Sequence, residues 1–377
     1  MRLEVASVVS ELQRLPLNSS SAHKLGRQAK SILEDSRKKI AGTISAFTSE
    51  VVFVSSGTEA NNWVLNAYAE HAVLVSSIEH SSILKTAHAL SKPIIIPVTK
   101  DGIVNLDELS KLLPKSEKFL VSVMLANNET GVIQPIREIA DMVHAQGGII
   151  HCDAVQAFGK IPVSFTDLGI DLMTISAHKM GGPVGAAALI VKNNLPLKPM
   201  IIGGGQELNR RAGTENVAAI AGFAKAAELI DFEHMKKLRA WLDNFEKELS
   251  CHPRENGDPV RKNHTAPDGA PLDSRLRGND NVIGRNAPRL PNTTCITMPN
   301  VTSETQIIAF DLEGIAVSAG SACSSGRIEP SHVLKAMNME SSDIATAIRI
   351  SGGWATKEED ILAATNAWKK IYARKNS

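Results

Sequence analysis

Residues 147–156, GGIIHCDAVQ, and residues 171–180, DLMTISAHKM, are two apolar runs that each lead into a polar, chemically useful side chain. Short runs rich in β-branched residues indicate buried strands, so Asp153 and Lys179 are expected at the carboxyl ends of two strands. Open α/β sheets bind their ligands beyond the carboxyl ends of the strands. The two stretches therefore predict a sheet and also the edge of it at which a site would lie.

Similar runs alternate with helical patterns through the larger part of the chain. They are EVVFVSS, HAVLVSS, PIIIPV, FLVSVMLANN and AAALIV, which begin at residues 50, 71, 93, 119 and 186. Between two of the runs, residues 136–146 carry apolar side chains at helical spacings of three and four. Continuous hydrophobic strands separated by helices indicate a mainly parallel sheet that is covered on both faces.

The pattern changes after Gly213 and predicts a second, smaller unit. One long helix is expected from residue 217 to about 248, followed by a weaker mixture of strands and helices. We therefore predict a larger domain over 18–230 and a smaller α+β domain over 231–377, to which residues 1–17 are assigned. Residues 252–286 are rich in Pro, Gly, Asn and charge, a composition that buries too little surface to offset the entropy of ordering, so they are expected to be a disordered insertion.

Composition excludes several classes of function. Forty-one Lys and Arg balance 40 Asp and Glu, and aromatic residues make up only 4%, which disfavours nucleic-acid binding. No apolar run approaches the roughly 18 residues of a membrane span, and Glu4 and Glu11 interrupt the start of the chain, where a signal peptide would be apolar. The four cysteines form no CxxC pair, so neither a disulfide framework nor a metal site is predicted. We expect a cytoplasmic protein without a membrane or nucleic-acid partner.

Asp153 and Lys179 together suggest pyridoxal phosphate chemistry. A lysine that follows an apolar strand and precedes a glycine turn can be a desolvated amine that forms an imine, and an aspartate can hold a protonated pyridine nitrogen. Other interpretations stay open at this point, because a lysine beside a surface turn is common and an aspartate after a strand can simply cap a helix.

Two features near the first strands add to this suggestion. In SSGTEANN, residues 55–62, a strand ends and a helix is expected to begin at about Thr58, which would leave unpaired N–H groups of Gly57 and its neighbours to bind an anion. The alternative is that Thr58 is an ordinary N-cap. His80 opens the next helix, where it could stack on a flat ring or have a structural role only.

Two residues near the C-terminus are further candidates. Cys323 lies in VSAGSACSSGRIEP among small residues, where an accessible thiol could act as a nucleophile and carry a group away. Arg349 lies within the apolar strand TAIRIS and needs a carboxylate partner if it points inward. That partner could be a substrate carboxylate or an internal Asp or Glu.

These motifs make the chain resemble the cysteine desulfurases of the class V aminotransferase family, of the NifS/IscS type. The matching stretches follow the family's order from about residue 19 to the C-terminus, apart from the insertion. They are SSGTEANN, the IEH at 78–80, ANNETGVIQPI, HCDAVQAFGK, SAHKMGGP, RRAGTEN, SAGSACSSG and AIRIS.

The resemblance implies the PLP-dependent aminotransferase-like fold type I and pyridoxal 5′-phosphate as cofactor. It implies that Lys179 carries the cofactor covalently, that Asp153 pairs with its ring nitrogen and that Gln156 bonds its phenolic oxygen. His80 would stack on the ring. The residues implied to hold the phosphate are Gly57, Thr58, Ser176, His178 and, from the neighbouring subunit of a homodimer, Thr214.

The resemblance also implies the reaction, in which L-cysteine becomes L-alanine. Asn128 and Arg349 would bind the substrate carboxylate, and Lys179 would move the Cα proton. The Cys323 thiolate would attack the substrate sulfur and keep it as a persulfide. The implied acceptor of that sulfur is an iron–sulfur scaffold or another sulfur-acceptor protein, including the machinery of tRNA thiolation.

Two other functions stay open at the level of the sequence. The chain shows no segment like Leu-Asp-Asn-Asn-Ala-Thr-Thr, with which the family normally opens, and Val184 stands where many relatives carry Lys or Gln. A catalytically impaired paralogue that acts as a binding or scaffold protein is therefore one alternative. The other is a related selenocysteine lyase or aminotransferase, which would need Lys179 and Asp153 but no persulfide on Cys323.

Overall fold

A seven-stranded sheet forms the centre of the larger unit in the computed structural model, which describes residues 1–115, 118–250, 281–322 and 328–376. Its strands are β1 (Val51–Val54), β2 (Ala72–Ser76), β3 (Ile94–Ile96), β4 (Phe119–Ser122), β5 (Ile149–Asp153), β6 (Leu172–Ser176) and β7 (Ala187–Val191). They lie in the order β1-β7-β6-β5-β4-β2-β3. The strands from β2 to β6 run parallel, whereas β7 is antiparallel to both of its neighbours. The expectation of a mainly parallel sheet is confirmed.

Helices cover both faces of this sheet, and this is why its strands are unbroken apolar runs. On β2, Leu74 contributes to a core that also contains Val143, whereas Val73 and Val75 contribute to a second core around Trp63. The helices of the larger unit are α1 (Leu3–Gln13), α2 (Lys24–Thr43), α3 (Gly57–Ala67), α4 (Ser81–Leu90), α5 (Leu106–Leu112), α6 (Ile136–Ala145), α7 (Phe165–Leu168), α8 (Gln206–Asn209) and α9 (Val217–Glu228).

The smaller unit combines a short antiparallel sheet with helices, as the sequence predicts. Its elements are α10 (Phe232–Ser250), β8 (Thr293–Thr297), α11 (Ser303–Leu312), β9 (Ser318–Ala319), β10 (Ser321–Ala322), β11 (Ile328–Glu329), α12 (His332–Ala336), α13 (Ser341–Thr346), β12 (Ala347–Ser351) and α14 (Glu358–Asn376). The strands β8, β12 and β9 pair in that order, and β10 pairs with β11. Leu238, Phe245, Ile296 and Trp368 are buried in a core that joins α10 and α14 to the sheet.

The long helix expected from residue 217 to about 248 is two helices. α9 ends at Glu228, and the carboxylate of Asp231 accepts a hydrogen bond from the backbone N–H of His234 at 2.9 Å, which caps the start of α10. The apolar residues Leu229 and Ile230 pack on the core across the break. The apolar periodicity therefore continues through the break between the two helices. The expectation of one helix was wrong, because the side-chain cap at Asp231 determines where α10 begins.

Helix α1 lies on the larger unit, so the assignment of residues 1–17 to the smaller domain differs from the contacts in the structure. Val5 and Val9 belong to the same buried core as Phe223 of α9. A Cβ atom on Gly222 would lie 2.6 Å from Cγ2 of Val9, so the glycine permits this close approach. Periodicity alone does not identify the partner of an amphipathic helix, because many surfaces offer an apolar stripe.

Residues 281–286, the C-terminal end of the expected insertion, are ordered in the structure. Residues 252–280 lie outside the described residues. Val282 and Ile283 are buried, and the backbone N–H of Ile283 donates to the carbonyl of Cys295 in β8 at 2.8 Å. This apolar pair provides enough burial to order residues 281–286, so their assignment to a disordered segment was wrong.

No helix within the described ranges is both long and apolar enough to cross a bilayer.

Candidate active site

A cavity of about 220 Å³ opens at the carboxyl ends of β4, β5 and β6, beside the N-terminus of α3. This is the edge of the sheet at which the sequence predicts a site. Most of the predicted site residues line the cavity; they are Gly57, Thr58, His80, Asn128, Asp153, Gln156, His178, Lys179 and Arg349.

Asp153 is the last residue of β5 and the most buried ionisable group of the cavity wall. Its carboxylate accepts hydrogen bonds from Nδ2 of Asn61 at 2.7 Å and from the backbone N–H of Val155 at 2.9 Å. Burial raises the pKa of Asp153, and the two hydrogen bonds act against the rise. The nearby charge of Lys179 also acts against the rise in the pKa, but Asp153 forms no salt bridge with any side chain of the described residues.

Lys179 lies on a 3₁₀ turn, Ala177–Met180, that follows β6 directly. Gly181 ends this turn with φ of 89°, a conformation that L side chains rarely adopt, so the glycine is required for the return of the chain into β7. Partial burial, followed by the charge of Arg349, lowers the pKa of Lys179. A larger fraction of its amine is therefore neutral and able to act as a nucleophile or base.

The first turn of α3 forms another wall of the cavity. Ser56 is the N-cap, because its hydroxyl accepts a hydrogen bond from the backbone N–H of Glu59 at 3.1 Å. The interpretation of Thr58 as the N-cap was wrong, since Gly57 and Thr58 are the first two residues of the helix. Their N–H groups have no acceptor within the helix and lie at the positive end of its dipole, an arrangement suited to an anion.

Ser176 and His178 support the side of the cavity nearest Lys179. The hydroxyl of Ser176 and Nδ1 of His178 are hydrogen-bonded at 2.9 Å. Ser176 is buried behind the cavity wall, whereas His178 lines it. Burial is the largest cause that lowers the pKa of His178, and the Lys179 charge adds to it.

His80 combines both interpretations that the sequence left open. It is the N-cap of α4, with Nδ1 accepting a hydrogen bond from the N–H of Ser82 at 3.1 Å, and its ring also lines the cavity. Burial lowers the pKa of His80, which favours the neutral ring. Its stacking on a cofactor ring stays a prediction.

Arg349 reaches the cavity from β12 of the smaller unit. Its Nη1 donates to the backbone carbonyl of Asn128 at 2.6 Å, and it makes no ion pair with a carboxylate of the described residues. The side-chain Oδ1 of Asn128 is buried and accepts no hydrogen bond from any described residue. A guanidinium beside an unpartnered amide oxygen is suited to a ligand that carries both a carboxylate and a donor group.

Besides Ser176, two further predicted residues are not among those that line the cavity. Thr214 is exposed, and the sequence predicts that it acts in a neighbouring subunit. Cys323 lies outside the described residues. Two residues further along the chain form hydrogen bonds close to the cavity. The hydroxyl of Ser331 donates to Glu129 at 2.6 Å, and Nε2 of His332 is 2.9 Å from the carbonyl oxygen of Glu79.

Two polar groups that contact cavity residues are not among the predicted site residues. Nδ2 of Asn61 donates both to Asp153 and to Ser82 Oγ, the latter at 2.9 Å, and thereby joins α3, β5 and α4. Asn61 lies four residues after Gly57, on the same face of α3, so its helical spacing was a signal that could have been used. Lys160, which donates to Gln156, had no such signal.

The chain belongs to a known protein family. The family Aminotransferase class-V matches residues 5–251 and 270–363. The unmatched residues between these two ranges fall inside the segment expected to be an insertion.

Within this family, the chain is similar to proteins named cysteine desulfurase. It is 37% identical over 369 residues to "Cysteine desulfurase IscS" of Dictyoglomus turgidum, with 94% of this chain and 87% of the relative covered. It is also 37% identical over 366 residues to "Cysteine desulfurase" of Nostoc sp., covering 95% of this chain and 86% of the relative. Among solved structures, the NifS-like protein from Rickettsia africae is similar with a TM-score of 0.86 and 37% identity, over 99% of this chain and 96% of the other.

Proposed function

We propose that this chain is a pyridoxal phosphate-dependent cysteine desulfurase that converts L-cysteine to L-alanine. The observation that carries the proposal is the meeting of Lys179, Asp153 and the N-terminus of α3 in one cavity. The proposal is further supported by the 37% identity of this chain to proteins named cysteine desulfurase, over most of both chains.

The groups around the cavity fit pyridoxal 5′-phosphate. A protonated ring nitrogen would form the salt bridge that the buried Asp153 lacks among the described residues, and the N–H groups of Gly57 and Thr58, which have no acceptor within α3, suit a phosphate. Lys179 is the amine that would hold the cofactor covalently. Nε2 of Gln156 makes no hydrogen bond to any described residue and can donate to the phenolic oxygen. When bound, the cofactor supplies an electron sink for charge that develops at Cα of an amino acid.

Each residue of the cavity then has a separate task. Arg349 and Asn128 bind the substrate carboxylate. Lys179 moves the proton at Cα, for which its lowered pKa makes the neutral amine available. Asp153 keeps the ring nitrogen protonated, because a buried carboxylate is stabilised by a cation beside it.

Cys323 is the proposed acceptor of the substrate sulfur. Its thiolate attacks that sulfur, the C–S bond breaks with its electron pair left on carbon, and a proton completes alanine. The product on the protein is a persulfide, and its sulfur passes to an iron–sulfur scaffold or another acceptor. We place this reaction in the cytoplasm.

A homodimer with Thr214 contributed to the neighbouring site is part of the proposal. Several large apolar side chains of the larger unit are exposed, among them Val184, Ile202 and Leu208. Leu208 and its two neighbours, Glu207 and Asn209, all have positive φ, which is unfavourable for residues other than glycine. The backbone adopts this conformation although the side chain of Leu208 is exposed. Exposed apolar side chains of this kind are typical of a protein interface.

The test is release of alanine from L-cysteine in the presence of a reductant, with the visible absorption of the bound cofactor recorded for each protein. Lys179→Ala should abolish both the absorption band and alanine release, whereas Lys192→Ala, which removes a surface lysine paired with Asp171, should keep both. An unchanged band in Lys179→Ala would show that the cofactor assignment is wrong.

The cysteine variants separate the proposed function from its alternatives. Cys323→Ala should keep the cofactor band and lose alanine release, and Cys251→Ala should behave like the native chain. Undiminished turnover of cysteine in Cys323→Ala would reject Cys323 as the nucleophile, and turnover of other amino acids in its place would favour a transaminase or lyase. A cofactor band without any alanine release from the native chain would favour an impaired paralogue.

A further inference from the structure

Lys160 is a partly buried lysine beside the cavity that the proposed reaction does not use. It lies four residues after Gln156, and its Nζ donates to Oε1 of Gln156 at 2.8 Å. No carboxylate of the described residues forms a salt bridge with it. Burial, followed by the charges of Lys179 and Arg349, lowers the pKa of Lys160 to about 7.

The backbone around Lys160 holds its side chain in this position. The N–H of Lys160 donates to the carbonyl of Ala157 at 3.0 Å, which closes a tight turn after Gln156. Gly159 has φ of 80°, and a Cβ atom there would lie 2.9 Å from Cβ of Met180, the residue after Lys179. The turn that carries Lys160 is therefore packed directly against the turn that carries Lys179.

The contact fixes which way the Gln156 amide points. A lysine ammonium has only donors, so the atom of Gln156 that faces it must be the oxygen Oε1. If the amide were reversed, the two donor groups would face each other. The NH₂ group of Gln156 is therefore on the side away from Lys160, and it has no partner among the described residues, while Gln156 itself lines the cavity.

We infer that Lys160 is a positioning residue that holds the Gln156 amide with its NH₂ directed at the phenolic oxygen of the cofactor. This inference rests on the proposed function. It assigns to Lys160 no contact with substrate or cofactor, and its effect passes entirely through Gln156.

The test is the pH midpoint of the visible band of protein loaded with pyridoxal 5′-phosphate. A donor to the phenolic oxygen stabilises the anionic form of the bound cofactor, so its loss raises the midpoint. Lys160→Met should move the midpoint upward by about one pH unit, the equivalent of one hydrogen bond. Lys160→Arg keeps a donor-only cation and should leave the midpoint unchanged, and Lys192→Met is the matched surface control.

A double-mutant cycle separates positioning from a direct effect of charge. In a Gln156→Leu background there is no amide to orient, so Lys160→Met should cause no further shift. Equal shifts in both backgrounds would overturn the inference, because Lys160 would then act through its own charge. A midpoint that does not change in Lys160→Met would overturn it as well.

Two measurements keep the test decisive. If Lys160→Met does not fold, as judged by circular dichroism, Lys160→Gln takes its place. The new glutamine keeps a polar contact but can face Gln156 with either a donor or an acceptor, so it does not fix the orientation of the Gln156 amide. The upward shift of the midpoint is therefore still expected. If the native chain forms no Lys179-dependent band, the proposed function has failed. If that band forms but its pH midpoint does not change when Lys160 is substituted, only this inference has failed.

Discussion

Glu79 provides a quantitative test of how the sheet edge is built. Its side chain is fully buried between the ends of β2 and β4, where Oε1 accepts hydrogen bonds from the Ser76 hydroxyl and from the N–H of Met124, the latter at 2.7 Å. The other oxygen, Oε2, is buried and has no hydrogen-bond partner in the part of the chain that the structure describes. Burial raises the pKa of Glu79 from 4.5 to about 8. The group is therefore protonated in the folded chain at neutral pH.

The sign of the effect on stability follows from this difference. Because the pKa of Glu79 is higher in the folded chain than in the unfolded chain, its favourable contribution is complete below pH 4.5 and is lost progressively up to about pH 8. Glu79→Gln keeps the shape of the protonated acid and does not titrate. Relative to the native chain, it should gain about 3 kcal/mol between pH 4.5 and pH 7.

The assay is unfolding of the native chain and of Glu79→Gln across this pH range, with identical buffers and scan rates. The midpoint of the variant should rise relative to the native midpoint as the pH increases. Glu138→Gln, which changes an exposed side chain at the start of α6, is the control and should show no such trend. A difference between Glu79→Gln and the native chain that is the same at every pH would refute the reasoning.

Two further substitutions test contacts that the sequence did not reveal. Arg37 donates hydrogen bonds of 2.8 and 2.9 Å to the carboxylate of Glu207. Arg37→Met should cost about 3–5 kcal/mol of unfolding free energy, because it leaves Glu207 buried without its charged partner. This cost is measured by urea unfolding. Asn61→Ala should weaken pyridoxal phosphate binding about tenfold, since it removes one hydrogen bond from Asp153, and the change is measured by titration of the visible band.

Matched controls decide both of these predictions. Arg137→Met removes an exposed pair with Asp141 and should cost less than about 1 kcal/mol, so an equal loss in the two arginine variants would contradict the argument from burial. Asn66→Ala changes an exposed amide of α3 and should leave the cofactor affinity unchanged. An equal loss of affinity in Asn61→Ala and Asn66→Ala would mean that the contact with Asp153 has no specific effect.

The order and type of most elements follow from local sequence patterns. The runs around Val73 and Leu120 predicted strands that are buried on both faces, because a strand with two covered faces needs apolar residues at every position. The same reasoning located Asp153 and Lys179 at the functional edge of the sheet. It did not predict the break at Asp231, where a single side-chain cap interrupts a continuous apolar pattern.

The sequence by itself determined the alternation of strands and helices, the edge of the sheet that carries the cavity, and the residue types that suggest a cofactor. Only the tertiary structure decided which side chains meet there. Arg349 reaches Asn128 across 221 positions of sequence, and Asn61 joins Asp153 from a different element. Hydrophobic periodicity is a local property, whereas a hydrogen bond between distant residues depends on how the elements pack, so no local pattern contains it.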